Sequence, residues 1–325
     1  MTTTQLPVVL HSRGSAVMTF EELVAGARRL AAASKAPATI RAYRADWRDF
    51  TGWCDRHGLQ ALPADPDTVA LYLTDLAAWA KASTIGRRLS AISQAHQTAE
   101  LDSPTTSVRV RVTMAGIRRT IGTAQVGKDP VLMADLRKMV AKLGPSLNGT
   151  RDRALLLVGF AGAFRRSELV ALNVEDVTDG QDGLTILLRR SKTDQEGAGR
   201  KVGIPYGSDP ATCPVRAYRA WLDAAGISEG PIFRPVDRHG HVRAVRLGDR
   251  AVAEVVKKAC LAAGLEGARY AGHSLRSGLA TSAAQAGASE RSIMAQTGHK
   301  SLPMVRRYIR DGSLFRENAA AMVGL

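Results

Sequence analysis

The stretch Ala271–Asp311, AGHSLRSGLATSAAQAGASERSIMAQTGHKSLPMVRRYIRD, sets His273 and Arg276 as H-x-x-R, then Gly298-His299, then Tyr308 nine residues after that histidine. An i,i+3 spacing puts His273 and Arg276 on one helix face. Upstream, Ala163-Phe164-Arg165-Arg166-Ser167-Glu168-Leu169 places an arginine at the end of an apolar segment, where an unpaired charge is costly. Ser191-Lys192-Thr193 puts a lysine between two strand-like runs. A phosphodiester under attack gathers charge on its non-bridging oxygens, and guanidinium forks hold such oxygens bidentately. A tyrosine hydroxyl, with a pKa of about 10, needs a neighbour to take its proton before it attacks. The leaving oxygen needs a donor, and lysine or histidine can serve. The set reads as phosphoryl transfer on a nucleic-acid backbone with tyrosine as the nucleophile.

These motifs resemble the tyrosine recombinase (phage integrase) family, and the set looks close to its Cre-like and Xer-like members. The family pattern is R-x-[SA]-E-[LI], a β-hairpin lysine, H-x-x-R, a histidine or tryptophan after glycine, and a tyrosine nine residues later. Arg165, Lys192, His273, Arg276, His299 and Tyr308 occupy those positions in order. Arg166 fills a variable position of the first motif. Arg200 and Lys201 compete with Lys192, and Arg190-Ser191-Lys192-Thr193 favours the latter through the R-x-K-T pattern of Cre-like members.

The resemblance implies a site-specific recombinase or integrase that cleaves and rejoins DNA through a 3′-phosphotyrosine at Tyr308. Arg165, Arg276 and His299 would hold the phosphate, His273 would manage the tyrosine proton, Lys192 would protonate the leaving oxygen, and Glu168 would orient the arginines. No cofactor is implied, because the phosphotyrosine keeps the bond energy, and no metal is required where cationic side chains already neutralise the phosphate. The implied partner is double-stranded DNA carrying specific recombination sites. Self-association into a tetramer on paired sites is implied as well, through the C-terminal helix. The implied fold is mainly α with a small β-hairpin or sheet: an all-helical core-binding domain followed by an α+β catalytic domain.

Composition agrees with this class. The chain has 325 residues, enough for two domains, and a net charge of +15 that favours a polyanionic partner. Cys54, Cys213 and Cys260 are odd in number and form no C-x-x-C pattern, which argues for a reducing cytoplasm and against disulfides or zinc. No run reaches the length of a membrane span, and no signal-peptide core opens the chain, so a soluble cytoplasmic protein is expected, and the resemblance implies a bacterial, phage or plasmid origin. Gly122–Lys128 is followed by Asp129 where a P-loop needs a hydroxyl, and ATP use is not indicated. His239-Gly240-His241 lacks clustered cysteines or carboxylates and reads as solvated.

Along the chain, residues 1–16 read as a flexible arm, 17–123 as the helical core-binding (SAM-like) domain, 124–129 as a linker and 130–325 as the catalytic domain. The first domain shows helical periodicity at Phe20–Ala33, then from an N-cap at Thr39 with Ile40, Tyr43, Trp47, Phe50 and Cys54 on one face. A helix from Asp67 would turn Val69, Leu73, Leu76 and Trp79 inward, and one capped by Ser83-Thr84 would bury Ile85, Leu89 and Ile92. Arg41, Arg44 and Arg48, with Arg87 and Arg88, are candidates for DNA backbone contact; an ordinary solvated face is the alternative. The catalytic half predicts helices at 134–143, 150–160, 214–225, 248–264, 273–285, 290–296 and 304–310. Strands are predicted at 185–188 and 201–204. A turn at Asp311-Gly312-Ser313 would lead to a last helix, Leu314–Val323, with Phe315, Ala319, Met322 and Val323 on one apolar face.

Three other readings stand beside the recombinase. A type IB topoisomerase-like strand transferase shares the chemistry but exchanges no partners. A catalytically inactive DNA-binding regulator would not need the full residue set. A merely basic RNA-binding protein leaves the tyrosine constellation unexplained.

Overall fold

The computed structural model describes residues 34–124, 127–189 and 199–313 (310–313 by backbone alone), together with Ala25, Leu30 and Val323. The chain divides into two compact units, Met1–Gln125 and Val126–Leu325, each with its own apolar core.

In the first unit, helices α1 (Pro37–Arg56), α2 (Pro66–Ala77), α3 (Ala82–Thr98) and α4 (Val108–Ile121) enclose Phe50, Tyr72, Leu73, Ile85 and Ile92. The helix expected from Thr39 starts earlier, at Pro37, because proline's fixed φ suits the first helical position and its missing N–H costs nothing there. The same rule moves the next start to Pro66, where Asp65 caps by accepting from the Asp67 N–H at 2.7 Å. Trp79 departs from expectation. The helix ends at Ala77, so the spacing that buries Leu76 no longer governs Trp79, which is 65% exposed with the Arg88 guanidinium 5.1 Å from its ring centroid. The helix expected at Phe20–Ala33 lies outside the described residues except for Ala25 and Leu30, both helical and exposed.

The second unit begins with α5 (Met133–Ala141), α6 (Leu147–Ala161) and α7 (Arg166–Ala171). An antiparallel sheet follows, β1 (Val177–Gly180), β2 (Gly183–Leu188) and β3 (Arg200–Pro205), in that spatial order. In register, Val177 faces Ile186 and Leu184 faces Ile204, and alternate residues of β2 and β3 enter the core. Then come α8 (Pro214–Ala225), α9 (Asp249–Ala262), α10 (Ser274–Gln285), α11 (Glu290–Thr297) and α12 (Leu302–Ser313). The architecture is the mainly helical one expected, with one strand more than the sequence indicates. The expected turn at 311–313 is instead the end of α12. A glycine costs a helix about 1 kcal/mol relative to alanine and does not stop it alone.

Two features place the chemistry. Helix α6 is apolar all round from Ala154 to Val158 and runs through the core, delivering the chain to Arg165. Helix α10 is held against the segment before α5, since Val131 N–H donates to the Ser274 carbonyl at 2.9 Å. A Cβ on Gly278 would lie 2.0 Å from the Val131 carbonyl oxygen, so this close approach requires glycine. No helix of the described residues is long and apolar enough to cross a membrane.

Candidate active site

Arg165 stands at the N-cap of α7, and Glu168 in the first turn returns to it twice. The Glu168 carboxylate accepts from the Arg165 backbone N–H at 2.9 Å and also from its guanidinium. Glu168 is buried and so fixes the arginine by charge and hydrogen bond together. Just before it, Ala163 adopts φ +49°, a left-handed conformation that costs a non-glycine residue about 1–3 kcal/mol. That turn brings the Ala163 carbonyl to Arg276 Nη1 at 2.7 Å.

Arg276, in the first turn of α10, is fully buried. Its Nε and Nη2 have no hydrogen-bond partner among the described residues. Burial above all, and then the neighbouring charge of Arg165, push its pKa down to about 10, with Glu168 pulling the other way. It therefore remains cationic at neutral pH. A buried guanidinium with two idle donors is set to receive an anion with two oxygens.

Tyr308 comes from α12, half-buried, with its hydroxyl 3.1 Å from His273 Nε2. Its ring stacks on His299, with centroids 5.8 Å apart and planes at 30°. The Thr297 hydroxyl lies 2.7 Å from the Ile293 carbonyl, to which it donates, so it accepts from His299 Nδ1–H at 2.8 Å. This network assigns the neutral His299 ring a proton on Nδ1 and a lone pair on Nε2.

The His299 pKa is held down to about 4, first by burial and then by the charges of Arg276, Arg165, His273 and Arg200. In the unfolded chain the ring titrates near 6.5, so between these values the unfolded state binds the extra proton and stability falls as pH falls. The full change is about 3 kcal/mol, complete below pH 4 and absent above 6.5. Denaturant unfolding of wild type and His299→Gln across pH 4–7 is expected to show that excess loss in wild type alone. Parallel curves would mean that His299 is not a buried neutral ring.

The structure thus brings Arg165, Glu168, Arg276, His273, His299 and Tyr308 together. Lys192 lies outside the described residues. Of its rivals, Lys201 is exposed, and the Arg200 guanidinium reaches the carbonyls that end α11. Sequence reading missed this role of Arg200 and the contribution of the Ala163 carbonyl.

In the first unit, Arg41, Arg44 and Arg48 are exposed at helical spacing on α1. Arg87 and Arg88 are engaged within the unit. Arg87 pairs with Asp46 through Nε at 2.7 Å and Nη2 at 2.9 Å, while Arg88, only 11% exposed, pairs with Asp49. His239 and His241 are exposed on a turn organised by Asp237, whose carboxylate accepts from both backbone N–H groups.

Comparison with known proteins points the same way. Residues 132–313 match the model of the phage integrase family, and residues 27–101 match that of the phage integrase N-terminal SAM-like domain. An integrase/recombinase xerD homolog of Selenomonas ruminantium is 47% identical over 303 residues, covering 92% of this chain and 89% of that protein. The cre recombinase of Escherichia phage P1 is 24% identical over 284 residues, covering 81% of each. Among solved structures, a lambda integrase tetramer bound to a Holliday junction superposes with a TM-score of 0.59 at 19% identity, over 92% of this chain and 78% of that one.

Proposed function

The chain belongs to the phage integrase family, the tyrosine recombinases that cleave and rejoin DNA strands, and on that premise we propose that Tyr308 attacks a scissile phosphate held by Arg165, Arg276 and His299. The Tyr308 oxygen bonds to phosphorus, the bond to the 5′ oxygen breaks, and the tyrosine proton passes to His273. Lys192, assigned from the sequence pattern, protonates the leaving oxygen. The 5′-hydroxyl of a partner strand then attacks the phosphotyrosine, and Tyr308 recovers its proton. One phosphodiester is broken and one is made. His299 acts through Nε2, which donates to a phosphate oxygen once the ring is protonated, a change that the phosphate charge favours.

The observation that carries this reading is Arg276: a fully buried cation with two donors unpartnered among the described residues, beside a tyrosine whose hydroxyl is 3.1 Å from a histidine. Donors fixed in advance around developing charge are worth most where water is excluded. Glu168 holds Arg165 in place and offsets part of the arginine repulsion.

The finer assignments extend the same proposal. The substrate is duplex DNA with paired recombination sites, bound by four protomers. The tetrameric lambda integrase on a Holliday junction supports that assembly, and residues 314–325 are assigned to linking protomers. Residues 17–123 form the core-binding domain, with Arg41, Arg44 and Arg48 on the phosphate backbone, and 130–325 form the catalytic domain, in a cytoplasmic protein. The test incubates the protein with two labelled duplexes carrying its site. Recombinant strands joining the two labels are expected; relaxation of a supercoiled plasmid without exchange would move the protein to the topoisomerase-like reading.

A further inference from the structure

We propose that Arg200 is a positioning residue that fixes the C-terminal end of α11 and, through it, the phosphate contact of His299. The proposal rests on His299 being a phosphate ligand, as assigned above.

The last carbonyls of a helix lack intrahelical partners and carry the negative end of its dipole. At the end of α11 a side chain from another element reaches them. Arg200, the first residue of β3, donates from Nη1 to the carbonyls of Ala295 at 3.3 Å and Gln296 at 3.2 Å, and from Nη2 to that of Thr297 at 3.4 Å. The next residue, Gly298, turns the chain with φ +66° and ψ 33°, and a Cβ there would lie 2.6 Å from Arg200 Nε and 2.8 Å from its Cζ. Glycine therefore makes the turn and also leaves room for the guanidinium beside it. His299 follows at once. Its Nδ1 is held by Thr297, the residue whose own carbonyl Arg200 grips. A second tie runs in parallel: Gln296 Nε2 donates to the carbonyls of Gly203 in β3 at 3.0 Å and Ala161 at the end of α6 at 2.7 Å.

Arg200 also sits in the electrostatic neighbourhood of the site. Burial lowers its pKa, with Glu168 drawing it up and Arg165 pressing it down. Its forks point at helix carbonyls, and this makes it a brace behind the histidine. A lysine keeps the charge but offers a single ammonium in place of a planar fork spanning three carbonyls.

The experiment measures single-turnover cleavage of a nicked suicide substrate by Arg200→Gln, His299→Ala, the double variant and Arg200→Lys, with single-site DNA affinity and thermal midpoint for each. Arg200→Gln is expected to slow cleavage about 10–100-fold, the size typical for a group that orients a working ligand. Affinity should stay within about twofold of wild type, and the double variant within about twofold of His299→Ala alone, because a brace without its histidine has nothing left to position. Arg200→Lys should recover part of the rate, and the His299 imidazole resonances should shift in Arg200→Gln while those of His57 and His96 stay put. Multiplicative loss in the double variant, or an unmoved His299 signal, overturns the proposal. Should Arg200→Gln fail to fold, the same cycle run with Arg200→Lys decides by the same criterion. Wild-type cleavage by His299→Ala would instead bring down the phosphate assignment of that histidine, and this inference with it.

Discussion

Tyr308→Phe is expected to abolish covalent protein–DNA adducts while leaving folding and single-site DNA binding intact. The change removes one oxygen from a half-buried ring. The ring keeps its stacking on His299, and the lost hydroxyl is the one 3.1 Å from His273 Nε2. Loss of a nucleophile lowers turnover on the order of 10⁴-fold or more, which takes the adduct below detection. A nicked suicide substrate traps the adduct, and a denaturing gel reads it. Three of the other described tyrosines are poor substitutes. Tyr72, Tyr218 and Tyr270 are buried, and burial pushes the hydroxyl of each to a higher pKa than an exposed tyrosine has. An adduct formed by Tyr308→Phe would transfer the nucleophile's role to another residue and dismantle the reading of the whole site.

Tyr308, His273 and His299 were legible in the sequence because histidine and tyrosine are scarce and stand at fixed intervals within 36 residues, and Arg276 through its H-x-x-R spacing from His273. Arg165 was legible for a different reason, as a charge ending an apolar run. Their meeting in space depends on α6 crossing the core and on the left-handed turn at Ala163, and alanine carries no signal of positive φ. Arg200 shows a related limit. Sequence made it a rival to Lys192 as a spare cation on a hairpin, while the side-chain direction at the first residue of β3 is set by contact with α11 from 95 residues away. Arg87 and Arg88 looked free because their carboxylates, Asp46 and Asp49, lie 41 and 39 residues upstream. Strand β1 was missed since Val177-Thr178-Asp179-Gly180 turns no residue fully inward and so shows no alternation. Most helices, by contrast, were legible from their apolar residues, though the short α7 (Arg166–Ala171) was missed, and boundaries moved by a few residues where proline or a capping aspartate decided them.

Arg276→Met separates function from stability most sharply. Methionine keeps much of the unbranched stem and loses the charge. The guanidinium is fully buried, bonded through Nη1 to one carbonyl, and pressed by the positive charges of Arg165 and Arg200. Such a cation is costly to the fold, and replacing an incompletely paired buried charge by an apolar group of similar shape is often neutral or stabilising. The loss on the other side is the Ala163 carbonyl, left without its donor at about 1–3 kcal/mol. These terms nearly offset, so the unfolding midpoint is expected to stay level or rise. Cleavage should fall about 10²–10³-fold, or roughly 3–4 kcal/mol of transition-state stabilisation, because the two nitrogens proposed to hold the phosphate are gone. Arg276→Lys, with one ammonium in place of the fork, should remain well below wild type. Single-turnover cleavage and denaturant unfolding on the same preparations read both quantities. A variant several kcal/mol less stable that still cleaves at the wild-type rate would make Arg276 a structural residue and leave the phosphate without its central ligand.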